Sequence, residues 1–233
     1  IKHKQKNNGI VFFDGGFGTE VLKQGIDLSE KCPESLNITN PDIVEKIHQN
    51  YVDAGSDVIT TNTFGCNRYK LASYDEVNNL ANFAKAGIEI AKKVANKSKR
   101  KIFVCATIGA IGKLTEPIGD MTFEETYSIY KEVFEAFVEA KPDVIILETM
   151  IDLQEARIAL LACKDTTDIP VIVSMTYENG VRTTTGTPPE VASIVFESLG
   201  ADIIGANCSV GPKQMVDVVK NMRSATSLPI IIQ

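Results

Sequence analysis

Three stretches, Ser56-Asp57-Val58-Ile59, Pro142-Asp143-Val144-Ile145 and Ala201-Asp202-Ile203-Ile204, repeat one pattern: a turn residue, an aspartate, then β-branched apolar residues. Each reads as the turn from a helix into a strand. Around them lie seven short apolar runs, Ile10–Phe13, Asp57–Thr61, Lys101–Ala106, Asp143–Leu147, Pro170–Ser174, Ala201–Ala206 and Pro229–Ile232. Continuous Val and Ile runs suit strands buried on both faces, as in a parallel sheet. Parallel neighbours require a crossover, and every interval between runs is long enough to hold a helix.

Helical signals fill those intervals. Asn40 can cap a helix with Pro41 at its first position; Ile43, Val44, Ile47 and Tyr51 then share a face, and Gly55 ends it. Val77, Leu80, Ala84, Ile88, Ala91 and Val94 make a second stripe. Thr122 with Glu125, and Asp152 with Glu155, have the spacing of a capping box. Pro188 opens a helix that closes at Gly200, and Gly211-Pro212 opens the last. No linker or change of composition interrupts the series, so residues 1–233 read as one domain. Seven β units in one domain favour a (β/α)8 TIM barrel over an open, doubly wound seven-stranded sheet. A barrel cannot close without its eighth strand. The chain is therefore expected to be part of a longer protein, its barrel truncated at about strand seven.

Composition narrows the function. Of 233 residues, 44% are hydrophobic and 23% charged, enough to bury a sizeable core. Twenty-four Lys and Arg against 30 Asp and Glu leave a net charge of −6, which excludes a broad basic footprint for nucleic acid. No apolar run approaches the roughly 20 residues of a membrane span. The basic, polar stretch Ile1–Asn8 is followed by no apolar core of a secretory signal. Five scattered cysteines, Cys32, Cys66, Cys105, Cys163 and Cys208, contain no CxxC and read as free thiols. The expectation is a cytoplasmic protein without nucleic-acid or membrane partners.

In either fold the ligand site lies beyond the carboxyl ends of the strands. Those ends carry Asp14, Asn62-Thr63, Thr107–Gly109, Glu148-Thr149, Thr176 and Asn207-Cys208. Such residues also suit ordinary loop starts, but six polar ends in register ask for more. Asp14 and Glu148 are carboxylates ending apolar runs, where an unpaired charge is costly. A cationic ligand group such as an ammonium would pair with both; a Lys or Arg from a neighbouring loop is the alternative. Gly15, Gly16 and Gly18, around Phe17, let backbone N–H groups approach an anion, or else make a plain tight turn. They are out of register for a dinucleotide fingerprint.

Other chemistries are unsupported. No Lys ends a run, which argues against a Schiff-base aldolase. His3 lies in the polar tail and His48 reads as an ordinary residue in mid-helix, so a His triad or His-rich metal site has no basis. Cys208, alone among the cysteines, follows an Asn at a strand's carboxyl end, and is the candidate nucleophile or metal ligand.

The segments Phe13-Asp14-Gly15-Gly16-Phe17-Gly18-Thr19-Glu20, Thr61-Asn62-Thr63-Phe64-Gly65, Leu147-Glu148-Thr149, Thr185-Gly186-Thr187 and Gly205-Ala206-Asn207-Cys208-Ser209-Val210-Gly211-Pro212 together resemble the homocysteine S-methyltransferase family. The resemblance spans essentially the whole chain, in order. It implies a (β/α)8 barrel with a zinc ion that stabilises the homocysteine thiolate for attack on a methyl group, giving methionine. By matching motif, Cys208 would be a zinc ligand, Asp14 and Glu148 would hold the substrate ammonium, and the Gly15–Gly18 backbone its carboxylate. Asn62 and Asn207 would be pocket or supporting groups. The family's other two zinc cysteines form a Gly-Gly-Cys-Cys-Gly segment after strand eight, which this sequence does not contain. One cysteine cannot make a zinc site with three protein ligands, so the chain as given is expected to bind zinc poorly.

Donors in the family include methylcobalamin, betaine and S-methylmethionine. Pro33-Glu34-Ser35-Leu36-Asn37 and Glu148-Thr149-Met150-Ile151-Asp152-Leu153 look most like the cobalamin-dependent branch, in which folate and cobalamin modules follow the barrel. Two other readings stand beside this one: a barrel acting on a phosphorylated metabolite, and a non-catalytic domain that binds a small molecule.

Overall fold

The computed structural model describes residues 9–28, 31–178 and 181–233; the stretch Ile1–Asn8, with His3, lies outside the described residues. Six strands, β1 (Val58–Thr60), β2 (Phe103–Gly109), β3 (Val144–Met150), β4 (Val171–Met175), β5 (Ile203–Ala206) and β6 (Ile230–Ile232), form one sheet in chain order. Every pair is parallel. The helices are α1 (Phe17–Lys23), α2 (Leu36–Thr39), α3 (Pro41–Ala54), α4 (Arg68–Ala72), α5 (Leu80–Lys97), α6 (Phe123–Ala140), α7 (Leu153–Thr166), α8 (Pro189–Ser198) and α9 (Pro212–Ala225). This is the α/β architecture of a truncated (β/α)8 barrel.

The recurrent aspartates explain why the sheet registers so regularly. Asp143 donates its backbone N–H to the Val104 carbonyl at 2.9 Å, while its carboxylate accepts the Val104 N–H at 2.8 Å. Asp202 does the same to Val171, at 3.0 Å each way, and Asp57 to Phe12, at 2.7 and 3.2 Å. Each aspartate thus clamps one residue of the preceding apolar run at both of its backbone polar groups. Arg100, Lys101 and Lys164 stand beside Asp57, Asp143 and Asp202 at 3.3, 3.8 and 3.6 Å.

The first apolar run departs from expectation. Ile10–Phe13 is not a strand of the ladder; it touches the sheet through a single parallel bridge, Phe13 to Val58. Ile10 and Phe12 are more than half exposed, so the run lacks the two buried faces that its composition suggests. The ladder stops after that bridge because the Thr60 N–H, the next donor in register, goes to the Asp14 carboxylate instead of a backbone carbonyl.

Helix boundaries follow their signals closely. Pro41 opens α3, and Gly55 closes it at φ 114°, a left-handed value that suits glycine. Thr122 and Glu125 form a reciprocal capping box on α6. Asp152 caps α7 through the N–H groups of Gln154 and Glu155, but Glu155 does not reciprocate. Its carboxylate turns to the Ile111 N–H at 2.6 Å and the Tyr130 hydroxyl at 2.8 Å. The stripe expected from Val77 begins as a 3-10 turn, Val77–Asn79, before α5.

Side chains alternate across each strand, so two layers of contact result. The outward residues and the helices form the large core, with Tyr130, Phe134, Phe137 and Phe196 fully buried. The inward residues Val58, Cys105, Val144, Ile146, Ile172 and Ile231 pack together inside the arc. Gly205 sits against this inner cluster, where a Cβ would meet Ile231 Cγ2 at 2.3 Å. Two residues further along each strand, the same face turns polar: Thr60, Thr107, Glu148 and Ser174. Among the described residues, no helix is long and apolar enough to cross a membrane.

Candidate active site

Above the apolar interior, at the carboxyl ends of the strands, lies a cavity of about 580 Å³. Asp14, Asn62, Glu148, Asn207 and Cys208 all line it, as do Gly15, Gly16, Phe17 and Gly18. Parallel topology accounts for this convergence, because every strand delivers its last residues to the same end of the barrel.

Asp14 and Glu148 are the two carboxyl groups at the carboxyl ends of the strands that burial raises. Asp14 accepts the Thr60 N–H at 2.7 Å and the Thr60 hydroxyl at 3.0 Å. Glu148 accepts a hydrogen bond from the Thr107 hydroxyl. Burial pushes Asp14 from an ordinary 3.8 up to about 7 against the pull of the Thr60 bonds, and the nearby Glu148 charge adds to the rise. Burial raises Glu148 as well. Neither carboxylate has a Lys or Arg partner among the described residues. Two desolvated carboxyl groups without a cation favour a ligand that brings one.

Cys208 is the exposed thiol; Cys32, Cys66, Cys105 and Cys163 are buried. Cys208 and the following Ser209 adopt left-handed backbone, φ 63° and 66°, and Thr149, whose hydroxyl lies 3.9 Å from the Cys208 sulfur, does so at 57°. A β-branched residue is rarely found there, and such strain concentrates at functional sites. Asn207 joins these residues. Its Oδ1 accepts the Thr149 N–H at 3.0 Å, and its Nδ2 donates to Thr149 Oγ1 at 2.8 Å and to Cys208 Sγ at 3.3 Å.

The glycine segment lies where α1 begins, with Gly16 as its N-cap. The first N–H groups of a helix have no intrahelical acceptor, and here they border the cavity. Tyr51 fixes the turn by donating its hydroxyl to the Gly16 carbonyl at 3.0 Å. Asn62 is placed differently from a free pocket group. Its amide donates to the Pro33 carbonyl at 2.8 Å and to Asn37 Oδ1 at 3.0 Å, so it anchors the segment ahead of α2.

Several cavity residues were not singled out from sequence. Thr60 holds Asp14, and its signal was inward parity with Val58 on the same strand; Thr107, one of the strand-end residues read from sequence, holds Glu148. Glu34 is buried, lines the cavity, and accepts the Gly65 N–H at 2.6 Å. Phe64 lies over Gly109 and under Lys70 Nζ, 4.3 Å from its ring centroid. His48 is fully buried on α3, beside Phe17 at 5.7 Å between ring centroids. Burial lowers its pKa to about 4, which keeps it neutral and outside the chemistry.

The described residues place Cys208 as the one cysteine on this cavity. Among the described residues, no three His, Cys, Asp or Glu side chains are grouped to hold a metal ion. Cys208 brings one thiol, beside an amide donor rather than a second ligand.

A parallel sheet whose strands follow in chain order with no reversal, wrapped by helices and with its cavity at the carboxyl ends, belongs to the TIM-barrel class rather than to the doubly wound sheets. Within that class, the chain belongs to the homocysteine S-methyltransferase family, whose model matches residues 11–233. Methionine synthase from Mycobacterium tuberculosis is 31% identical over 236 residues, and that from Mycobacterium leprae 30%. Each alignment covers 96% of this chain, which spans about a fifth (20%) of those relatives. The metallated form of the homocysteine methyltransferase MmuM from Escherichia coli superposes with a TM-score of 0.86 at 17% identity, over 95% of this chain and 82% of that one. The apo form of the same protein gives 0.76 at 18% identity, over 95% and 80%.

Proposed function

We propose that residues 1–233 are one homocysteine-binding barrel domain of a longer enzyme that transfers a methyl group to the homocysteine thiolate, forming methionine. Family membership supports the reaction class. The observation that carries the substrate assignment is the pair Asp14 and Glu148, two desolvated carboxyl groups on one cavity with no cationic partner among the described residues. An amino acid's ammonium supplies the missing charge, and the amide groups opening α1 suit its carboxylate. That orientation carries the substrate's sulfur toward the Cys208 side of the cavity. In the transfer, a sulfur lone pair forms the new carbon–sulfur bond, and the donor keeps the electron pair of the bond that breaks.

Zinc, held by Cys208 and by further thiolates that these 233 residues do not supply, would stabilise the substrate thiolate at neutral pH. The proposed donor is methylcobalamin carried by a separate module, with a folate module alongside, rather than betaine or S-methylmethionine; the sequence resemblance suggests it, and relatives of about five times this chain's length have room for such modules. We read the protein as cytoplasmic, consistent with five free cysteines.

Calorimetric titration of the full-length protein with homocysteine, followed by assay of methionine formation with each donor, tests this reading. Binding near one equivalent and turnover with methylcobalamin are expected. Turnover only with betaine or S-methylmethionine would overturn the donor, and no homocysteine binding would overturn the substrate.

A further inference from the structure

Ser174 is fully buried on β4, facing inward two residues beyond Ile172. Its hydroxyl donates to Asn207 Oδ1 at 2.7 Å. From the same strand, Thr176 Oγ1 donates to the Asn207 carbonyl at 3.0 Å. The orientation of the Asn207 amide is therefore determined by chemistry. The Thr149 backbone N–H can only donate, so the end of the amide it meets must be oxygen. The other end is then nitrogen, with one hydrogen for Thr149 Oγ1 and one for Cys208 Sγ. A flipped amide would set its N–H groups against the Thr149 N–H and would force Ser174 to reverse its bond.

We propose that Ser174 is a positioning residue: through the Asn207 amide it fixes an N–H donor on the Cys208 sulfur and orients that sulfur toward the cavity. The need for such a brace is local. Thr149, Cys208 and Ser209 all hold left-handed backbone, and strained conformations persist where their surroundings over-determine them. The Asn207 side chain bonds two of these three residues, and Ser174 is the side-chain donor that ties it to the neighbouring strand. Loss of the serine hydroxyl leaves Oδ1 with the Thr149 N–H alone and lets the amide rock away from sulfur. A sulfur held toward the cavity is presented to an electrophile, whereas one released from the amide can turn back against Thr149 Oγ1, 3.9 Å away. The proposal rests on Cys208 facing the cavity, as in the function proposed above, and on no step of methyl transfer.

The test is the iodoacetamide labelling rate of Cys208 in the full-length protein after chelator treatment, read peptide by peptide by mass spectrometry at one fixed pH. Ser174→Ala is expected to label about three- to tenfold more slowly, the equivalent of one neutral hydrogen bond. Ser174→Thr, which keeps the hydroxyl, is expected to restore the rate; circular dichroism checks each fold. An unchanged or faster rate in Ser174→Ala overturns the proposal. So does equal slowing in both variants, which would mark a packing role. Should Ser174→Ala fail to fold, Asn207→Asp replaces the donor with an acceptor at the same position, and labelling at the wild-type rate there overturns it equally. Because labelling needs no homocysteine, a methyltransferase with unaltered Ser174→Ala labelling sinks this inference alone, and slowed labelling in a protein that never binds homocysteine sinks only the functional reading.

Discussion

Asp14 holds Thr60 with both carboxylate oxygens, one on the backbone N–H at 2.7 Å and the other on the hydroxyl at 3.0 Å. An asparagine can reproduce that grip: its oxygen takes the N–H, and its amide donates to the hydroxyl. Asp14→Asn therefore removes charge from the cavity while leaving the local bonds in place. Homocysteine affinity is expected to fall about ten- to a hundredfold at pH 8, the scale of one charge-assisted contact. Thermal stability should not fall, because the buried charge is unfavourable in the empty site. Glu148→Gln should behave alike. Calorimetry beside thermal melting checks both, and normal affinity in either variant removes that residue from the ammonium site.

The same carboxyl makes ligand binding depend on pH. Asp14 is raised from 3.8 to about 7 by burial, so it is largely neutral below that pH in the empty site. An ammonium prefers the ionised form, and binding must then expel a proton. Affinity is expected to weaken as pH falls below about 7, by up to roughly tenfold per unit, and to level off above it. A thiol-free amino acid such as 2-aminobutyrate separates this effect from ionisation of the homocysteine sulfur. A flat profile between about pH 5 and 8 would show that Asp14 is not the group being paired.

Glu155 yields a stability prediction independent of the ligand. Its carboxyl accepts from the Ile111 N–H and the Tyr130 hydroxyl, yet burial still raises it from 4.5 to about 7. In the unfolded chain it ionises near its ordinary value, so the folded state holds its proton longer and loses stability as pH rises between about 4.5 and 7. Glu155→Gln keeps an acceptor for both donors and has no charge to bury. Relative to the wild type, the variant is expected to gain on the order of 1–3 kcal/mol between pH 5 and pH 8. Urea unfolding at the two pH values measures the difference. An equal gap at both would mean that Glu155 ionises in the folded state as it does in water.

The legible features were those set by local chemistry repeated along the chain. Asp57, Asp143 and Asp202 announced strand entries because the same clamp recurs at each. Asp14, Glu148 and Cys208 could be placed on one rim because parallel topology sends all strand ends the same way. Ile10–Phe13 was misjudged as a full strand because an apolar run does not reveal how many neighbours it has. Glu34 on Gly65 and Glu155 on Ile111 join residues 31 and 44 positions apart, and no periodicity encodes such pairs. Asp152 and Glu155 had capping-box spacing, but tertiary partners took Glu155 away. The burial of His48 was hidden in the same way, since helical spacing fixes a face and not what covers it.

Cys208 lies on the rim, outside the apolar layer formed by Val58, Cys105, Val144, Ile146, Ile172 and Ile231. Its sulfur accepts one N–H bond from Asn207, and that amide keeps Thr149 as a partner if the sulfur is removed. Its left-handed backbone is no harder for alanine than for cysteine. Cys208→Ala should therefore leave the barrel folded. Under the proposed function, it should also abolish stoichiometric zinc and methyl transfer together in the full-length protein, because a three-thiolate site reduced to two is incomplete before substrate arrives. Metal analysis and circular dichroism on the same sample separate the outcomes. Zinc retained at full occupancy means that Cys208 is not a ligand, and loss of the helical signal means that its role is structural.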